Sequence, residues 1–262
     1  MSDFERLPIL DADGAEVSHL SFRLDEPAGA KAPLCLVFLH GFGSDQEGEK
    51  AQFLRERALE NGLAFCTFDF RGHGKSGSDM RGLTIERNIE DLKAIQAMLA
   101  GRGHARLGLI GSSMGGFTAI WHSAMNPEGI ACGMHIAPAF GMDEGFLLWA
   151  GPEKTMQWQK DGVVDFGNDF VSCELGWGWI ADLKSRQTAR LLPLYKTPTL
   201  LLQGKHDESV PWRGVLAFAT QCQYEGIDLH LFADGDHRLT DRKDRLWELM
   251  WEFLRGRGLV SA

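Results

Sequence analysis

The sequence predicts an α/β protein built on a mostly parallel, doubly wound sheet, and three observations carry that reading. Short apolar runs alternate along the 262 residues with segments of helical period, the pattern of successive strand–helix units joined by right-handed crossovers. Several of those runs are almost continuously apolar, as strands buried on both faces of a parallel sheet must be. The chain is 44% hydrophobic and 24% charged, ordinary for one large domain whose core holds without metal or disulfide.

Taken in order, VSHLSFRL (17–24) alternates apolar and polar residues and is expected to form an antiparallel edge hairpin with the segment before it. LCLVFLH (34–40) reads as the first buried strand. QEGEKAQFLRERALENG follows as a helix that stops at Asn61-Gly62, a good C-terminal signal. After the strand LAFCTFDF (63–70), LTIERNIEDLKAIQAMLAGRG sets Ile85, Ile89, Leu92, Ile95 and Leu99 on one helical face, with Thr84 as N-cap. RLGLIG (106–111) and GIACGMHIA (129–137) are strands around a helix beginning in GGFTAIWHSAM. TPTLLLQG (197–204) and IDLHLFADG (227–235) complete the strands, and a last helix over roughly 239–256 repeats Leu246, Leu249, Trp251 and Phe253.

Residues 139–192 break this rhythm. They hold Trp149, Trp158, Phe166, Phe170, Trp177 and Trp179 with several glycines and no clear strand. They are expected to form a helical cap, or lid, inserted into a core made of residues 1–138 and 193–262. Trp149, Trp158, Trp177 and Trp179 are its candidate pocket residues. The bland reading, aromatics that only pack the insertion onto the domain, holds for each of them as well.

The net charge of −9 argues against nucleic acid or an anionic membrane surface as partner. No run approaches the roughly 18 apolar residues of a membrane span, so no stable membrane insertion is expected. Cys35, Cys66, Cys132, Cys173 and Cys222 never form a CxxC pair. They read as free thiols in a reducing compartment. With an acidic N-terminal stretch that lacks signal-peptide character, a cytoplasmic location is the expectation. A small-molecule substrate and a monomer or homodimer follow.

The chemistry concentrates at strand ends. Gly111-x-Ser113-x-Gly115 follows an apolar run and precedes a helix, and the chain contains no second match. A serine on so sharp a turn takes an unfavourable backbone conformation, and flanking glycines relieve the crowding so that its hydroxyl projects above the sheet. Ser112 is the lesser candidate. A serine needs a base, and the base an orienting acid. TLLLQGKHDESVP places Asp207 just beyond one strand, and LHLFADGDHRL places His237 just beyond the next. The order serine, acid, histidine suits this architecture; Glu208 and Asp236 are the competing acids. After the first buried strand, His40-Gly41-Phe42-Gly43 supplies the turn for an oxyanion hole. The amides of Phe42 and Met114 are its donors, and His40 braces the loop. No cofactor and no metal are expected, since no His/Cys/Asp cluster has ligand spacing.

Together HGFGSD, FDFRGHGKSG (68–77), GSSMGG, GKHDESVP and GDHRL resemble the α/β-hydrolase superfamily over nearly the whole chain. More narrowly, the chain is similar to serine esterases and acyl-thioesterases related to mitochondrial palmitoyl-protein thioesterases with acyl-glucuronide esterase activity. The resemblance implies Ser113 as nucleophile, His237 as base and Asp207 as orienting acid, with an architectural role for the loop carrying Arg71 and His73. The expected activity is hydrolysis of carboxylic esters or thioesters with an apolar or aryl acyl group. Rival readings are a serine peptidase or amidase, kept open by Asp143, Glu144, Glu153, Asp161 and Asp165 in the insertion, a cofactor-free perhydrolase or acyltransferase, and a non-catalytic binding module.

Overall fold

The computed structural model describes residues 3–29, 34–168 and 171–261. Its strands are β1 (Glu5–Leu10), β2 (Glu16–Asp25), β3 (Cys35–Leu39), β4 (Ala64–Phe68), β5 (Leu107–Ser112), β6 (Ile130–Ile136), β7 (Val163–Gly167), β8 (Ser172–Gly176), β9 (Thr199–Gly204) and β10 (Ile227–Phe232). Eight of them form one sheet in the order β1-β2-β4-β3-β5-β6-β9-β10. β1 and β2 pair antiparallel, β2 joins β4 antiparallel, and all later pairs are parallel. The expected hairpin is therefore present, and it extends the parallel sheet at its β4 side.

Each parallel strand divides its side chains between two cores. Cys35, Val37 and Leu39 of β3 join one apolar cluster with Ala64, Cys66, Phe68, Leu107 and Leu109. Leu36 and Phe38 join the other, with Phe65, Ile110, Met134 and Ile136. That two-residue alternation explains why these runs carry no polar face. The first cluster is closed by α2 (Ile85–Gly101), whose Ile85, Ile89, Leu92, Ile95 and Leu99 are all fully buried. Thr84 caps this helix, its side chain accepting from the Arg87 N–H at 2.9 Å. α3 (Met114–Met125) and, further along the chain, part of α7 (Trp212–Gln221) lie in the same cluster.

The second cluster is covered by α1 (Glu49–Glu60) and the C-terminal α8 (Lys243–Gly256). The last helix differs from the expected one in two respects. It starts at Lys243, after a separate 3-10 turn at Thr240–Arg242. Its buried stripe is Leu246, Trp247, Met250, Phe253 and Leu254, with Leu249 and Trp251 only partly covered. The spacing of four, three and one along that stripe keeps it on one helical face, which the Leu246-Leu249-Trp251 series does not do.

β6 and β9 are adjacent and parallel, so everything between them is an excursion from the sheet. It contains α4 (Met142–Asp161), the β7–β8 hairpin, α5 (Gly178–Ser185) and the four-residue α6 (Thr188–Leu191). α4 is broken at Gly151, whose φ of 67° and ψ of 173° lie outside the helix, followed by Pro152. The hairpin was not expected from the sequence. Its strands show one face buried only at Phe166 and Leu175, and the glycines that bound them break the alternation. Phe170 lies outside the described residues. Among the described residues, no helix is long and apolar enough to cross a membrane.

Candidate active site

β5 ends at Ser112 and α3 begins at Met114, so a single residue, Ser113, makes the whole turn. Its φ of 52° and ψ of −117° put a serine where side chains seldom go, a strained state that surrounding contacts must impose. They do so from both sides. The Ser113 N–H donates to the Ile136 carbonyl at 2.9 Å, and the Ser113 carbonyl accepts from Phe117 at 3.1 Å and from Ala139 at 3.2 Å. The flanking glycines are required by close approach. A Cβ on Gly115 would stand 2.2 Å from the Leu39 carbonyl oxygen, and one on Gly111 would stand 2.4 Å from the Gly116 Cα. Strand, turn and helix can be this compact only without those side chains.

His237 sits on the loop after β10, where the Asp236 carboxylate accepts from the Leu239 N–H at 2.7 Å and shapes the turn. Its Nε2 lies 3.2 Å from Ser113 Oγ, and its Nδ1 lies 2.8 Å from Asp207 Oδ2. A carboxylate only accepts, so the hydrogen belongs on Nδ1 and Nε2 is left to accept from the serine hydroxyl. Asp207 is fixed in turn. Its Oδ1 accepts from the N–H groups of Ser209 at 2.9 Å and Val210 at 2.7 Å, and its Oδ2 accepts from Gln203 Nε2 at 2.9 Å. Burial pushes this carboxyl upward, but the hydrogen bond and charge of His237, with the Val210 and Gln203 donors, hold it below the usual range. The competing acids make no such contact: Glu208 is exposed, and Asp236 is exposed and turned to Leu239.

Ser112 points elsewhere. It is 8% exposed, and its Oγ accepts from Lys50 Nζ at 3.1 Å.

Gly41 to Ser44 form a turn closed by the Ser44 N–H on the Gly41 carbonyl at 3.2 Å. Such a turn leaves the N–H of its second residue, Phe42, outside the closing bond. Gly41 packs against the serine, for a Cβ there would touch Ser113 Cβ at 3.4 Å. Met114 opens α3, and N–H groups of a first helical turn have no partner within their helix. His40 is buried, with both nitrogens engaged: Nδ1 lies 2.8 Å from the Gly41 carbonyl and Nε2 accepts from the Phe70 N–H at 3.1 Å. Burial lowers its pKa and favours the neutral ring, which suits a brace. The loop carrying Arg71 and His73 lies behind it. Arg71 is clamped by Asp91, and the His73 ring packs 5.0 Å from that of His40.

Aromatic rings from the excursion converge on Phe42. Its ring centroid lies 5.1 Å from Phe146, 5.4 Å from Phe166 and 6.0 Å from Trp179. Trp149 packs tilted against Phe166 at 4.6 Å and is partly open to solvent. Trp158 and Trp177 occupy a different place. They meet edge to face at 5.5 Å, with the Trp158 N–H bonded to the Leu175 carbonyl at 2.9 Å. A fully buried indole with its one donor satisfied marks Trp158 as core of the excursion itself; Trp177 is half-buried beside it, and Trp179 is fully buried against Phe42. Sequence reasoning passed over Phe146, whose only signal is its place in the same aromatic-rich stretch.

With this geometry in view, residues 30–164 match the family described as Serine aminopeptidase, S33. The chain belongs to this family. It is also similar to the mitochondrial palmitoyl-protein thioesterase ABHD10 of mouse, 26% identical over 227 residues that cover 80% of this chain and 70% of the relative. Among solved structures, the mouse α/β hydrolase domain-containing protein 10 superposes with a TM-score of 0.79 at 23% identity, over 98% of this chain and 99% of that one. Est1E from Butyrivibrio proteoclasticus, with ferulic acid bound, gives a TM-score of 0.76 at 22% identity, over 97% of this chain and all of that one (100%). The protein is an α/β hydrolase with a mostly parallel central sheet, and the order of its strand-end residues, Ser113, Asp207 and His237, suits that fold.

Proposed function

We propose that this hydrolase cleaves carboxylic esters or thioesters through an acyl-enzyme on Ser113. The observation that carries the reading is His237, bonded on one side to Ser113 Oγ at 3.2 Å and on the other to Asp207 at 2.8 Å. In the first step Nε2 takes the hydroxyl proton while Oγ attacks the acyl carbon. The carbonyl oxygen, now negative, is held by the N–H groups of Phe42 and Met114, where losing one donor typically costs about 3 kcal/mol. Collapse breaks the carbon–oxygen or carbon–sulfur bond, and the proton on Nε2 passes to the departing alcohol or thiol. Water then repeats the sequence on the acyl-enzyme, releasing the acid and restoring Ser113.

Asp207 orients the imidazole and stays ionised throughout, in keeping with the donors that surround it. The excursion between β6 and β9 serves as a cap, and its rings around Phe42 favour an apolar or aryl acyl group. An amine-recognising peptidase pocket would need carboxylates turned toward the serine. Of the five acids in the excursion, Glu144, Glu153, Asp161 and Asp165 are instead exposed to solvent and Asp143 alone is half-buried, a balance that favours the ester reading. Turnover of p-nitrophenyl esters, their thioester counterparts and aminoacyl p-nitroanilides on one preparation tests this order. Faster cleavage of the anilides would replace the reading with a peptidase.

A further inference from the structure

Lys50 belongs to the first turn of α1, a position where a lysine is ordinarily solvated. Here its Nζ donates to Ser112 Oγ at 3.1 Å and to the Arg238 carbonyl at 2.7 Å. Those partners are the residue immediately before Ser113 and the residue immediately after His237, and they lie 62 and 188 positions away from Lys50 in the chain. One ammonium therefore ties together the two segments whose separation sets the approach of imidazole to hydroxyl. We propose that Lys50 is a positioning residue for the reaction, locking the His237 loop to the Ser113 turn so that Nε2 is held on Oγ. The inference rests on the triad reading given above.

Three features support it. The His237 loop is anchored before and after the histidine, by the His206 N–H on the Gly235 carbonyl at 2.9 Å and by the fully buried Leu239. Lys50 adds a tie between those anchors, at Arg238, where nearby ion pairs such as Arg242 with Asp234 are exposed and exposed pairs fix geometry weakly. The nearby Lys243–Glu49 pair, which also bridges α8 to α1, is exposed as well. Second, the ammonium is held in place against the cost of taking it out of water. Burial brings its pKa down to about 8, opposed by the carboxylates of Asp236 and Asp207 and assisted by the Arg238 guanidinium. Third, both direct acceptors are neutral oxygens, so the contact is made by geometry and not by a neutralising partner.

The test compares kcat and KM for p-nitrophenyl acetate in the wild type, Lys50→Met and Lys50→Arg, with thermal unfolding of each. Lys50→Met is expected to lower kcat by roughly 10- to 100-fold, the scale of a misplacement near 1 Å, with little change in KM. Its unfolding temperature should equal or exceed that of the wild type, because a disfavoured charge is gone. Lys50→Arg, which keeps a cation with donors for both oxygens, should restore most of kcat. Should Lys50→Met not fold, Lys50→Gln carries the same expectations. Wild-type kcat in the neutral variants overturns the proposal. So does a loss of kcat that tracks a lower unfolding temperature and is not rescued by arginine, since that marks a merely structural residue. Ser113→Ala is measured alongside. Turnover surviving in that variant overturns the triad reading, and with it any Lys50 role in orienting His237, and it turns attention to a Ser112–Lys50 pair.

Discussion

Asp207 and His237 are 30 residues apart in the chain and 2.8 Å apart in space, joined by a hydrogen bond from Nδ1 to Oδ2. The contact exists because β9 and β10 are parallel neighbours in register, Thr199 with Ile227 through Gly204 with Phe232, so the loops leaving their C-terminal ends rise side by side. Neighbouring parallel strands deliver an acid and a base to the same edge.

Asp207→Asn keeps the shape of this contact but lets the amide present a donor to Nδ1, which disfavours the productive tautomer. A fall in kcat of about 10³- to 10⁴-fold is expected, measured on a p-nitrophenyl ester. A nearly silent substitution would transfer the orienting role to Glu208 or Asp236.

Lys50 gives a pH dependence of stability with a definite sign. Its folded pKa of about 8 lies below the ordinary value near 10.4 for an unfolded lysine. The folded state therefore binds this proton less readily, and the charge penalises folding most below pH 8. The penalty fades as pH rises from about 8 toward 10.4. Unfolding temperatures of the wild type and Lys50→Met, taken from pH 7 to 10, should show the largest advantage for the variant at the neutral end and a closing gap above pH 8. A gap independent of pH would contradict the assignment.

The strands were legible because burial on both faces leaves no choice but apolar residues, and Leu36, Val37 and Phe38 show this in three consecutive positions. The serine turn was legible for a related reason: Gly111 and Gly115 meet backbone atoms at distances that admit no Cβ. Lys50 was not. A lysine in a helix's first turn looks the same in sequence whether solvated or tucked against another loop, and only the tertiary register of α1 against the Arg238 loop distinguishes them. The full burial of Trp158 and Trp179 was equally hidden, since an indole packed inside the excursion and one left at its surface carry no local mark in sequence.

Gly115→Ala tests the compactness of the turn. The added methyl would meet the Leu39 and His40 carbonyl oxygens at 2.2 and 2.5 Å, and backbone cannot retreat as a side-chain tip can. A destabilisation above about 3 kcal/mol is expected in denaturant unfolding, with activity lost in whatever folds. Wild-type stability would mean that α3 does not approach β3 this closely.

Phe146 touches Phe42, Phe166 and Trp179, with centroids at 5.1, 5.2 and 5.7 Å. Phe146→Ala should reduce kcat/KM for aryl and medium-chain esters by roughly 10-fold, within the 1–3 kcal/mol that apolar pocket contacts supply, while leaving the acetate ester much less affected. Equal losses across the acyl series would show that the rings stabilise the cap without touching the acyl group.

The central claim is that Ser113 is the nucleophile, and the most direct measurement is the site of covalent labelling by a fluorophosphonate, read by fragmentation of the peptide that carries both Ser112 and Ser113. The account predicts one adduct, on Ser113, and none in Ser113→Ala. An adduct on Ser112, or labelling that survives Ser113→Ala, would contradict it.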